Sequence, residues 1–287
     1  MGKNTVFGRA EPMQIVKNMK SGLSIMIVSL ALVPFSNNGV LSEELTGRQI
    51  MDESSERHDR DVELEIQKMT LRTVDAVEEV RDMRRFVRKE DGAFKYLMVF
   101  DEPAGVSGVA LLTWENPEGA DDQFLYLPSM GKKLKRIADG GKRNYFMGTD
   151  FTYEDLVSES KDKFEYERLD DLTFDEQPAY QVKATPIDEY VKKTTGYSFR
   201  TLTILKDSFF IVKTEYFDRR KRPLKVLTAT EYGVVEGEMW RASKQTMENF
   251  KEKHFTDVES SSRSFDTGDV PKKVFAQRFI KSGKHMR

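Results

Sequence analysis

Val62-Glu63-Leu64-Glu65-Ile66-Gln67 places apolar and polar side chains at strict alternation. A period of two is the signature of a strand with one buried face, and no helix can carry it. The same period recurs in Phe94-Lys95-Tyr96-Leu97-Met98-Val99-Phe100, in Tyr180-Gln181-Val182-Lys183-Ala184, along Tyr197 to Leu205 and from Leu224 to Tyr232. Turn chemistry separates the runs: Glu90-Asp91-Gly92, Asn116-Pro117-Glu118-Gly119, Ala138-Asp139-Gly140-Gly141, Arg219 to Pro223 and Glu236-Gly237. Hairpin-length connections with few helical stretches between them exclude parallel crossovers. The pattern predicts a mostly β, α+β chain: one meandering antiparallel sheet of ten or eleven strands, large enough to twist and curl.

Three helical pieces flank this sheet. Thr46 and Gln49 form a capping box with Leu45 stapling to Ile50, which opens a helix just before the first strand. Thr152, with Glu154 and Asp155 behind it and Phe151 facing Leu156, predicts a second capped start. Asp269-Val270-Pro271 opens a short helix with Val274, Phe275 and Phe279 on one face.

Upstream, Lys17 and Lys20 precede the apolar run Leu23 to Phe35, followed by Ser36-Asn37-Asn38-Gly39. That run is too short to span a bilayer, and a basic flank with small residues behind it is the export-signal pattern. We expect residues 1–42 to be an N-terminal extension and signal peptide, cleaved near Ser42, and residues 43–287 to be one domain, exported to the periplasm as a monomer. Removing Lys3, Arg9, Lys17, Lys20 and Glu11 changes the formal charge from −2 to −5. Such a balance excludes a general nucleic-acid binder, which needs a basic surplus. With no cysteine in 287 residues, disulfides, thiol chemistry and a lipid anchor on this chain are excluded. The three histidines, His58, His254 and His285, have no metal-ligand spacing, and His285 lies in a basic tail expected to fray. No nucleophile elbow or phosphate loop is present, so no catalytic residue, metal site or cofactor is expected.

The stretch Leu97-Met98-Val99-Phe100-Asp101-Glu102-Pro103-Ala104-Gly105-Val106-Ser107-Gly108 leads to Asp121-Asp122-Gln123-Phe124-Leu125-Tyr126-Leu127-Pro128. Phe146-Met147-Gly148-Thr149-Asp150-Phe151-Thr152-Tyr153-Glu154-Asp155-Leu156 follows. This series resembles the outer membrane lipoprotein-sorting protein family, relatives of the periplasmic carrier LolA. The resemblance implies an incomplete barrel of about eleven strands, with helices covering the open side of an apolar cavity that holds the acyl chains of a lipid or lipoprotein. It also implies transient membrane contact and an inner-membrane exporter of the RND/MMPL type as partner. No arginine of this chain matches the lid arginine of the studied carrier. For the lining we expect Leu64, Ile66, Met98, Phe100, Leu112, Trp114, Phe124, Tyr126 and Trp240, with Phe146, Met147, Phe151 and Tyr153 as a lip or plug. Asp150 and Asp155 should fix the loop rather than touch cargo. The alternative is an adaptor subunit of a transporter complex with a filled core.

Overall fold

The computed structural model describes residues 44–287 apart from Glu118, Lys132 and Glu159; the expected signal segment and its cleavage point lie outside the described residues. The chain opens with α1 (Gly47–His58), whose capping box is formed as the sequence predicts, Thr46 accepting from Gln49 N and Gln49 reaching back to Thr46 N. A first meander follows: β1 (Val62–Thr73), β2 (Val77–Glu90), β3 (Ala93–Glu102), β4 (Ala110–Trp114), β5 (Asp122–Tyr126) and β6 (Leu134–Arg136). After residues 137–163 come β7 (Phe164–Arg168), β8 (Leu172–Phe174) and β9 (Gln177–Pro186), then α2 (Glu189–Thr195). The second meander continues with β10 (Tyr197–Leu205), β11 (Ile211–Asp218), β12 (Pro223–Glu236), β13 (Met239–Asn249) and β14 (His254–Ser264), and α3 (Gln277–Lys281) lies near the end.

All strand pairs are antiparallel in one unclosed, curled sheet ordered β6-β5-β4-β3-β2-β1-β14-β13-β12-β11-β10-β9-β7, with β8 also on β9. The fourteen strands among the described residues exceed the expected ten or eleven, because three-residue pieces such as β6 and β8 are too short to show a period. The tight turns are where the sequence puts them: Asp91 and Gly92 both take positive φ, the two-residue turn whose twist matches a hairpin. Among the described residues the one long-range pairing is β1 with β14, which joins the two meanders along Leu64 to Thr73.

Two covers lie on opposite faces of the first meander. In β3, Met98 and Phe100 alternate with Leu97 and Val99, and all four are buried. Met98 and Phe100 pack with Met69, Leu71, Met83 and Leu111 beneath the connecting segment, on the concave side. Leu97 and Val99 pack on the convex side with Val274, Phe275 and Ile280 of the carboxyl-terminal segment. A strand buried on both faces explains its continuous apolar run. The expected terminal helix is split into a 3-10 turn, Lys272–Phe275, and α3. His285 is not frayed: it is 2% exposed, bonds Gly108 O through Nε2 and meets the Tyr126 ring edge-on.

α1 packs through Ile50 and Met51 on Phe164, Val182, Leu202 and Ile204. Its last residue, His58, sits between Ser208 O and Trp240 N. Because Trp240 N donates to Nδ1, Nε2 carries the proton, and burial holds this imidazole below its ordinary pKa. α2 is capped by Asp188 and ended by Gly196 at φ 85°, and at seven residues it is too short to show a readable period in the sequence. Among the described residues, no helix is long and apolar enough to cross a membrane.

Candidate functional site

Residues 137–163 leave the β6 edge of the sheet, pass across its concave face and rejoin it at β7. Their centre is a small hairpin. Tyr145 bridges Thr152, Phe146 N donates to Phe151 O, and Thr149 N donates to Phe146 O. Met147 (φ 50°) and Gly148 (φ 79°) both stand in the left-handed region, which explains the glycine. The expected second helix is a single 3-10 turn, Glu154–Leu156. Thr152 does not cap that turn: its N and Oγ1 both donate to Asp155 Oδ2, at 2.6 and 2.7 Å, and no side chain accepts from the first-turn N–H groups. The helix does not propagate because Asp155 is held from outside and the chain is extended again at Val157.

This plug is tied to both arms of the sheet. Asp150 Oδ2 accepts from Thr256 Oγ1 (2.8 Å) and His254 Nδ1 (2.7 Å) on β14. Lys225 on β12, fully buried, donates to Asp150 O at 2.9 Å and to Asp155 Oδ2 at 2.5 Å. Tyr197 on β10 donates its hydroxyl to Asp155 Oδ1 at 2.8 Å. On the other arm, Arg81 donates to Met147 O, Gln123 to Tyr153 O, and Ser158 N to the Tyr96 hydroxyl. Burial lowers the Lys225 ammonium, with Asp155 pulling the other way, and burial followed by the Asp155 charge raises the Tyr197 phenol well above its ordinary value. Asp150 and Asp155 thus fasten the loop. Glu154, next in line, has its carboxyl pushed up to about 7, first by burial and then by Asp121.

Between plug and sheet lies a cavity of about 270 Å³. Its apolar wall is Met69, Met98, Leu227, Val258, Phe151 and Leu156. Its polar end is Glu65, Gln67, Arg85, Arg241, Ser260 and Arg263. Glu65 accepts from Arg85 Nη1 and Arg263 Nε, both at 2.9 Å, while Arg241 clasps Glu63 through Nε (3.0 Å) and Nη2 (2.9 Å). Burial opposes the charge on Glu65, but Arg85 and Arg263 outweigh it and keep the carboxyl below the usual range. A second cleft, of about 440 Å³ between α1 and the β2–β3 end, shares Ser158 and Phe210 with this cavity.

The expected lining residues divide into groups. Met98 and Phe151 line the cavity, and Phe100, Phe146, Met147 and Tyr153 pack together on the same concave side. Leu64, Leu112, Trp114, Phe124 and Tyr126 belong instead to the convex cluster, where Trp114 donates to Phe275 O at 3.0 Å. Ile66 is 36% exposed beside them on the outer face of β1. Trp240 packs with Phe210, Val212 and Ala229. The inward residues of β1 are Glu63, Glu65, Gln67 and Met69, so the strand is turned over from the orientation expected. Its apolar row faces the carboxyl-terminal cover, and its acids face in because arginines from β2, β13 and β14 neutralise them. Sequence reasoning missed Arg85, Arg241 and Arg263. No local signal singles them out, since their partners lie 20, 178 and 198 residues away.

A family model described only as "uncharacterized protein" matches residues 92–282. No curated protein matches the chain. An outer membrane lipoprotein-sorting protein domain from Vibrio parahaemolyticus superposes with a TM-score of 0.76 at 31% identity, covering 82% of this chain and 98% of that one. A DUF1329 family protein from Desulfovibrio piger gives 0.75 at 23% identity, covering 82% and 97%. A LolA superfamily protein from Nitrosomonas europaea gives 0.65 at 18%, covering 82% and 100%; these two share the fold. With its curled open sheet, and with nearly one residue in three matching over almost the whole Vibrio domain, this chain belongs to the outer membrane lipoprotein-sorting protein family.

Proposed function

We propose that the protein is a periplasmic carrier that takes up an acyl chain of a lipid or lipoprotein on the concave side of the sheet and releases it without covalent chemistry. The observation that carries this reading is the cavity, one wall of which is not sheet but a plug held by hydrogen bonds. Its 270 Å³ falls just below the range of about 300–1,000 Å³ usual for ligand pockets. It seats part of a chain, and a longer chain needs the plug to yield or the adjoining cleft beside α1 to open. Each methylene removed from water contributes about 0.8 kcal/mol, so a partly buried chain is held reversibly. Family membership supports the cargo class. In this reading residues 1–42 direct export, residues 43–287 form a monomeric carrier domain, and an RND/MMPL-type exporter is the membrane partner.

Native mass spectrometry of protein purified from the periplasm tests this, with a co-purifying lipid mass as the expected result. Lipid-free protein that also ignores an added fatty-acid probe overturns it. That outcome leaves the adaptor reading, which draws on the β1–β2 hairpin tip, where Val74, Val77 and Val80 are 73, 61 and 44% exposed.

A further inference from the structure

The polar end of the cavity holds more positive charge than its own network uses. Three guanidinium groups, Arg85, Arg241 and Arg263, meet two carboxylates, Glu63 and Glu65. Arg241 is spent on Glu63 and on Trp240 O. Arg263 is spent on Glu65 and on Ala242 O. The acceptors of Glu65 are filled by Arg85, Arg263, Ser260 and Gln67. Arg85 is the surplus: among the described residues its one hydrogen bond goes to Glu65, and it stands over the Tyr96 ring at 5.7 Å with the rest of the group facing the cavity. Its side chain is 24% exposed, so the N–H groups that Glu65 does not use are open to an anion that enters the cavity. Immediately beyond it the walls turn apolar at Met69, Met98, Leu227 and Val258.

We infer that the cavity selects an amphiphile with one negatively charged head, a carboxylate or a phosphate monoester on an alkyl chain, the head seated on Arg85 beside Arg263 and the chain along the apolar wall. This rests on the carrier reading and adds to it the charge of the cargo's head. The planar guanidinium suits either oxyanion, and a neutral head offers Arg85 nothing.

The test is the affinity of the delipidated protein for palmitate, hexadecyl phosphate, hexadecanol and inorganic phosphate at fixed ionic strength. The expected result is that at least one charged chain binds roughly tenfold or more tighter than hexadecanol, and that inorganic phosphate does not compete. The ranking of palmitate against hexadecyl phosphate tells which oxyanion the site prefers. Arg85→Gln should remove the preference, bringing the charged chains to the affinity that the same variant shows for hexadecanol, with Arg85→Lys restoring part of it; thermal melts check that both variants fold. The wild-type series decides the matter even if they do not. Equal binding of charged and neutral chains overturns the head-group site while sparing the carrier. Displacement of palmitate by inorganic phosphate at equal affinity overturns the amphiphile in favour of a free-anion site, and a protein that binds no chain at all overturns the carrier reading itself.

Discussion

Lys225 and Asp155 form a buried ion pair at the point where the plug meets β12. Removing one partner strands the other charge, so Lys225→Met should cost about 3–5 kcal/mol in denaturant unfolding, with Asp155→Asn added to it recovering part of the loss. Gly148 is a milder case. A Cβ there meets nothing within 4 Å, so Gly148→Ala carries only the conformational cost of positive φ, about 1–2 kcal/mol by the same measurement. Glu154 sets a pH dependence. Its folded pKa of about 7 lies above the ordinary 4.5, so the native state holds a proton that the unfolded chain has released. Stability from this group is full below about pH 4.5 and is lost as pH rises through 7. A stability profile of Glu154→Gln should be flatter over that window than that of the wild type. The role of the plug acids is legible in the sequence, since an aspartate beside a helix start commonly accepts backbone N–H bonds, as Asp155 does from Thr152. Lys225, at a position 70 residues further on, carried no such mark.

At the scale of elements, the decisive fact is that β1 to β5 are covered twice. Trp114 of β4 lies under the carboxyl-terminal segment and Val258 of β14 lines the cavity, which separates stability from binding. Trp114→Ala should lower stability by roughly 2–4 kcal/mol and leave acyl-chain affinity unaltered. Val258→Phe, projecting into the void, should weaken that affinity about tenfold in a protein that still melts cooperatively. A tryptophan variant that loses binding while folded would place the site on the convex face instead. Strands and turns were readable from period and turn residues, and so was the start of α1 from its capping box. Orientation was not, because alternation defines two faces without saying which is inside. For Val62 and Leu64 the usual inference, apolar row inward, fails once a second cover lies outside, and Ile66 on the same row stays exposed.

For the whole molecule, β1 and β14 are the seam on which both meanders depend, whereas β6 and β8 are three-residue strands at the margins of the sheet. Amide exchange should therefore be slowest along Leu64 to Thr73 and its β14 partners and fastest in Leu134–Arg136 and Leu172–Phe174. Plug amides near Phe146 and Thr149 should change protection when an acyl chain binds if the plug yields as proposed. Local sequence determined the period-two strands, the Asp91-Gly92 turn and the Thr46 cap, since each depends on residues within a few positions of one another. Only the tertiary structure decided which face of β1 looks into the cavity. Glu63 and Glu65 can turn inward because Arg85, Arg241 and Arg263 arrive from three other strands to balance them, and Leu64 can turn outward because a segment two hundred residues later covers it.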